Sequence, residues 1–103
     1  MSPSYLGRVQ TPPWRYLGGQ ALAMDGTSQV LALPSVATIV EISAEGASVY
    51  FSINHVIAGP GSPGFVPQAG GEVIGPLSNL RNMSVWGAGG GGAVAHLMYF
   101  VES

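Results

Sequence analysis

TIVEISAEGASVYFSIN, residues 38 to 54, holds two β-branched and aromatic runs separated by Ala44-Glu45-Gly46-Ala47. Residues of this kind favour a pleated, half-buried backbone, and Gly46 can take the positive φ that a short connection demands. The stretch predicts a β-hairpin of TIVEIS against SVYFSIN. Period two then sorts the second strand. Val49, Phe51 and Ile53 point one way, and Ser48, Tyr50, Ser52 and Asn54 point the other, which gives one core face and one wetter face.

Outward from this hairpin, Gly and Pro punctuate the chain so often that no helical domain fits; the 103 residues include 16 glycines and eight prolines. Between the breakers lie seven expected strands: Gln20 to Met24, Gln29 to Leu33, Ala37 to Ser43, Ser48 to Asn54, Glu72 to Leu77, Asn82 to Trp86 and Ala93 to Val101. In the last of these, Val94, His96, Met98 and Phe100 alternate with Ala95, Leu97, Tyr99 and Val101. Both faces are largely apolar, so the strand is expected to be buried on both sides, in its own domain or against a neighbouring chain. A helix from Ala93 to Glu102 is the competing reading, because Ala, Leu and Met favour it. The expected fold is all-β: a small β-sandwich, jelly-roll-like, spanning residues 20–103.

Two segments are expected to stay outside the strands. Residues 1–19 hold Pro3, Pro12 and Pro13 among Tyr5, Val9, Trp14 and Tyr16, too Pro-rich to pair yet too aromatic for an inert tail. They read as an extended N-terminal arm. Tyr5, Val9, Pro12, Pro13, Trp14 and Tyr16 are its candidate partner-binding residues, with packing across its own domain as the alternative. Val56 to Gly71, VIAGPGSPGFVPQAGG, reads as a long loop.

Composition narrows the chemistry. Three arginines, no lysine and five carboxylates leave a formal charge of -2, so no basic surface is available for nucleic acid. The absence of cysteine excludes disulfides, Cys-based zinc sites and thiol nucleophiles. The N-terminus lacks the apolar core of a signal peptide, and the longest apolar run, Val30 to Val40, is short and broken by Pro34, so no membrane insertion is expected. Asn82-Met83-Ser84 matches the glycosylation sequon by pattern alone.

Candidate catalytic groups are few. Gly87-Ala88-Gly89-Gly90-Gly91-Gly92 lacks the Lys-Ser/Thr pair of a phosphate cradle and reads as a flexible hairpin loop. His55 and His96 are the plausible general bases, and Ser52, His55 and Glu41 could be assembled from one hairpin, but no nucleophile elbow marks them. His55 is expected to be satisfied by loop carbonyls. His96 is expected to donate to a backbone group or to sit at an interface. Metal binding by the two histidines with Glu41 or Glu72 has no supporting ligand spacing, and no cofactor is implied. Trp14, Trp86, Tyr16, Tyr50, Tyr99 and Phe65 could form a sugar-stacking platform, although Asn54, Asn79, Arg81 and Asn82 are the sparse polar set available around them; core packing and subunit contact explain the aromatics with fewer assumptions.

The run SVYFSINHVIAGPGSPGFVPQAGGEVIGPLSNLRNMSVWGAGGGGAVAHLMYF resembles the C-terminal half of small tailed-bacteriophage virion proteins. The matching features are the aromatic strand Tyr50 to Asn54 ending in "SIN", the Gly/Pro loop Gly59 to Gly71, the short strand Glu72 to Leu77, Ser78-Asn79-Leu80, and the last strand His96 to Phe100. The resemblance covers about half of the chain and does not include the arm. It implies a capsid decoration or cement protein, non-enzymatic, on the capsid surface of the virion and in the host cytoplasm during assembly. Its implied partners are the major capsid protein and copies of itself, a trimer being the implied cluster. A carbohydrate-binding or host-attachment module of a fibre or tail is the alternative. Eight charged residues in 103 favour permanent assembly independently, since so uncharged a surface is a liability for a monomer.

Overall fold

The computed structural model describes residues 14–54, 58–59, 62–88 and 92–102. Its strands are β1 (Trp14–Ala23), β2 (Gln29–Ala32), β3 (Ile39–Glu45), β4 (Val49–Ile53), β5 (Gly64–Val66), β6 (Gly71–Ile74), β7 (Asn82–Gly87) and β8 (Val94–Glu102). No α-helix occurs among the described residues, and the last segment is a strand. Sheet A has the order β1-β8-β3-β6 and sheet B the order β2-β7-β4-β5.

The pairings nest. β1 pairs with β8, β2 with β7, β3 with β6 and β4 with β5, all antiparallel. The chain is therefore one long antiparallel ribbon, doubled back between β4 and β5 and rolled until β8 meets β3 and β7 meets β4. Two four-stranded sheets wound in this way form a jelly-roll sandwich, so the expected fold class holds.

The expected hairpin does not. β3 lies in sheet A and β4 in sheet B, so TIVEIS and SVYFSIN face each other across the core instead of pairing. Val40, Ile42 and Ala44 of β3 and Val49 and Phe51 of β4 join one buried cluster from opposite sheets. Gly46 does carry the positive φ that the connection needs, at 84°, and a Cβ there would strike the carbonyl oxygen of Gly92. The β7–β8 connection likewise crosses between sheets, so the glycine run is no hairpin loop either. The two crossings lie side by side, joined by the Ala88 N–H donating to the Ser48 carbonyl at 2.9 Å.

The core between the sheets is closed by Leu97, Ala95 and Tyr99 of β8 and by Met83 and Val85 of β7. Each large aliphatic side chain buried there contributes about 1.5–3 kcal/mol. Tyr99 keeps its hydroxyl satisfied near the rim, accepting from Gln20 Nε2 at 2.6 Å.

Four further expectations are corrected in whole or in part. The boundary drawn at residue 19 falls inside β1, which begins at Trp14 and pairs with β8 from end to end apart from an irregularity between Tyr16 and Gly18, so Trp14 to Gly19 belong to sheet A and not to an arm. The expected 56–71 loop contains β5, because Phe65 and Val66 find places opposite Tyr50 and Val49. Of the two expected ways of burying β8 on both sides, its own domain supplies only one face: Ala95, Leu97 and Tyr99 are buried, whereas His96 and Met98 are exposed, which leaves a neighbouring chain as the expected cover. β6 stops at Ile74, short of the expected Leu77, where Gly75 takes φ 110° before the cis peptide to Pro76.

Candidate functional site

Register decides what each outer face presents, because directly opposed residues share a face. On sheet B, Phe65 of β5, Tyr50 of β4 and Trp86 of β7 stand in one row across three strands. Ring centroids are 5.0 Å apart for Tyr50–Phe65 and 5.8 Å for Tyr50–Trp86, with interplanar angles of 54° and 52°. Spacing and tilt of this kind are those of favourable aromatic pairs. Tyr50 and Trp86 are half-buried and Phe65 is 43% exposed. The neighbouring outward positions, Ser52, Ser84, Asn82, Val30 and Ala32, add no charge to this face.

One end of the face is already covered. Ala58, in the β4–β5 connection, donates its N–H to Ser84 Oγ at 3.0 Å, and its carbonyl accepts from the Ser28 hydroxyl. Ser84 is thereby buried although it points away from the core. The aromatic row lies beyond this cover.

The outer face of sheet A carries a second cluster. Tyr16 and Phe100 are directly opposed on β1 and β8, with centroids 5.7 Å apart, and Trp14 lies 5.8 Å from Phe100. Ile39 stands opposite Phe100 on the other side, fully buried yet separate from the inter-sheet core. Tyr16, Met98 and Val73 leave large apolar surface exposed on this face.

Beyond that cluster the face becomes polar. His96 Nε2 lies 2.7 Å from Glu45 Oε1, and the two side chains are 45% and 70% exposed. The partner of His96 is thus a carboxylate rather than the expected backbone group. Ser43 stands directly opposite His96, and shallow grooves of about 280 and 460 Å³ flank the pair, one bordered by Glu41 and Tyr16, the other by Gln68 and Gly70. Ser43 Oγ makes no hydrogen bond to the imidazole among the described residues. As an exposed contact on a sheet surface, ionic only when His96 is protonated, His96–Glu45 is worth at most about 1 kcal/mol.

The other proposed constellation is taken apart by the fold. Ser52 faces outward on sheet B and Glu41 outward on sheet A, so the two cannot share a triad; His55 lies outside the described residues. Among the described residues no three His, Asp or Glu side chains converge as a metal site, and no helix is long and apolar enough to cross a membrane. Of the six candidate arm residues, Trp14 and Tyr16 sit in β1, while Tyr5, Val9, Pro12 and Pro13 lie outside the described residues. Of the six aromatics considered as a platform, Phe65, Tyr50 and Trp86 come together on one face, Trp14 and Tyr16 lie on the opposite one, and Tyr99 belongs to the core. Parity placed Tyr50 outward, but the row itself depends on strands distant in sequence and had no local signal.

No protein-family model, curated protein or solved structure matches the chain.

Proposed function

We propose that this is a non-enzymatic structural protein of a tailed-phage virion, a capsid decoration or cement protein that stabilises the shell by binding the major capsid protein and copies of itself. The carrying observation is a three-ring aromatic cluster on each outer face of a sandwich with almost no charge: Phe65–Tyr50–Trp86 on sheet B and Trp14–Phe100–Tyr16 on sheet A. Aromatic side chains are the typical anchors of protein interfaces, offering large contact area at low entropic cost. Clusters on opposite faces suit a protein that bridges two neighbours, which is what a cement does. Tyr5, Val9, Pro12 and Pro13, outside the described residues, are the proposed additional contacts to a sister chain or the major capsid protein.

The alternative, a carbohydrate-binding or host-attachment module of a fibre or tail, draws support from the uncharged row on sheet B. Its rings are tilted by more than 50° from one another, which suits separate grooves better than one flat sugar-stacking platform. Labelling the protein in electron micrographs of virions tests both readings. A cement gives label in many copies over the shell; label confined to the tail or fibres supports the alternative and contradicts the cement.

A further inference from the structure

We propose that the outer edge of β1, which pairs with no strand among the described residues, is a self-pairing site at which two copies of this chain join antiparallel about a two-fold axis centred on Gln20. This holds whichever partner the outer faces take. The sandwich has four sheet edges, and they differ sharply. β2, β5 and β6 offer four, three and four residues, and prolines bound β5 on both sides and follow β6 closely. Short edges and flanking prolines are the usual protections against strand addition. β1 offers ten residues with no proline, and from Tyr16 to Met24 it bears no charge.

Its open main-chain groups can be assigned. Met24 N–H donates to Ala93 on the β8 side, whereas the Ala23 carbonyl accepts from the Gln29 side chain. In an antiparallel ladder the direction alternates residue by residue. Leu22 and Gln20 therefore face β8, and Ala21 and Gly19 turn their N–H and C=O groups outward. The irregularity in the ladder lies between Tyr16 and Gly18, which takes φ 128°, and so ends at the residue before Gly19, where the absence of a Cβ leaves room for the Leu97 carbonyl. With Gln20 on the axis, Gly19 and Ala21 of one copy face Ala21 and Gly19 of the other, and four hydrogen bonds close. The small side chains there let the two edges approach.

Charge selects a second copy as the occupant. Arg15 lies near the start of β1 and Asp25 just beyond its end, both exposed, and neither has an ion-pair partner among the described residues. Antiparallel self-pairing brings the Arg15 end of each strand against the Asp25 end of the other, so opposite charges meet twice. The symmetry is two-fold, in place of the three-fold cluster that the resemblance implies.

The test is sedimentation of the full chain over a concentration series, with amide hydrogen exchange read at Gly19 and Ala21. A concentration-dependent dimer that protects both amides is expected. Ala21→Pro removes an outward N–H without touching the β8 ladder and should abolish the dimer while melting remains close to wild type. Should that variant fold poorly, Ala21→Lys keeps every main-chain group and blocks the edge by charge. Arg15→Asp and Asp25→Arg should each weaken the dimer roughly tenfold, from two symmetry-related pairs, and together restore it. A chain that stays monomeric with freely exchanging Gly19 and Ala21 amides, or a dimer that survives both Ala21 variants, would overturn the proposal.

Discussion

Asn54 donates its side-chain amide to the Asn79 carbonyl oxygen at 2.7 Å, tying the end of β4 to the segment that enters β7. Asn54 Oδ1 also accepts from the Arg81 N–H at 2.8 Å, and the Asn54 N–H donates to the Asn82 carbonyl. The residue sits at φ 56°, a left-handed conformation that asparagine tolerates better than most side chains. Ser52-Ile53-Asn54 and Ser78-Asn79-Leu80, noticed in the sequence as separate features, are thus two sides of one clamp. Asn54→Ala is expected to lose about 1–3 kcal/mol in denaturant unfolding, from the missing hydrogen bonds and the strained backbone. Asn54→Gly should lose less, since it keeps the backbone relaxed. An alanine variant as stable as wild type would show that the clamp is dispensable.

Sandwich class and the facing of β4 were legible because breakers and period two are local signals. Val49 and Phe51 point inward and Tyr50 outward, as parity requires. The partner of each strand was not legible. A short Gly-containing link between two strands serves a hairpin and a sheet crossing equally well, and the choice at Gly46 depends on β8 and β7, which lie some fifty and forty residues downstream. The same limit hid the aromatic row. The misplaced boundary at residue 19 has another origin: Trp14 to Gly19 pair with β8 despite following two prolines, because Trp14 and Tyr16 gain ring contacts with Phe100.

Removal of residues 1–19 should therefore damage the fold. The truncation deletes the first six residues of β1 and strips two rings from Phe100. A clear fall in melting temperature, or an insoluble product, is expected. Unchanged thermal unfolding would mean that β1 begins to matter only after Gly19.

Acid titration should single out Asp25. Thr27 donates to Asp25 Oδ1 from its hydroxyl at 2.6 Å and from its N–H at 3.0 Å. These bonds, the hydroxyl foremost, favour the charged carboxylate and hold its pKa below the ordinary 3.8. A depressed folded-state value means that the contribution is present above the usual carboxylate range and is lost as pH falls through the lowered value. The Asp25 carboxyl resonance should titrate below the ordinary range in wild type and move back toward it in Thr27→Val. Identical midpoints would show that the hydroxyl has no effect.

His96→Ala and Glu41→Gln should alter stability by no more than about 1 kcal/mol, since both side chains lie on the outer face of sheet A and the His96–Glu45 pair is exposed. Neither variant should abolish turnover of any substrate. A sugar, ester or phosphate hydrolysis activity lost in one of them would refute the non-enzymatic reading.

Under the proposed cement role, binding to undecorated tailed-phage shells tests the account most directly, with occupancy measured for wild type and for Trp86→Ala, and thermal melting followed in parallel. Wild type should saturate the shell and raise its stability. A folded Trp86→Ala protein should bind about 30-fold more weakly, the loss of one central aromatic anchor worth about 2 kcal/mol. Absence of saturable binding by wild type would contradict the cement role, and full occupancy by Trp86→Ala at wild-type concentration would contradict the Phe65–Tyr50–Trp86 cluster as one of its anchoring surfaces.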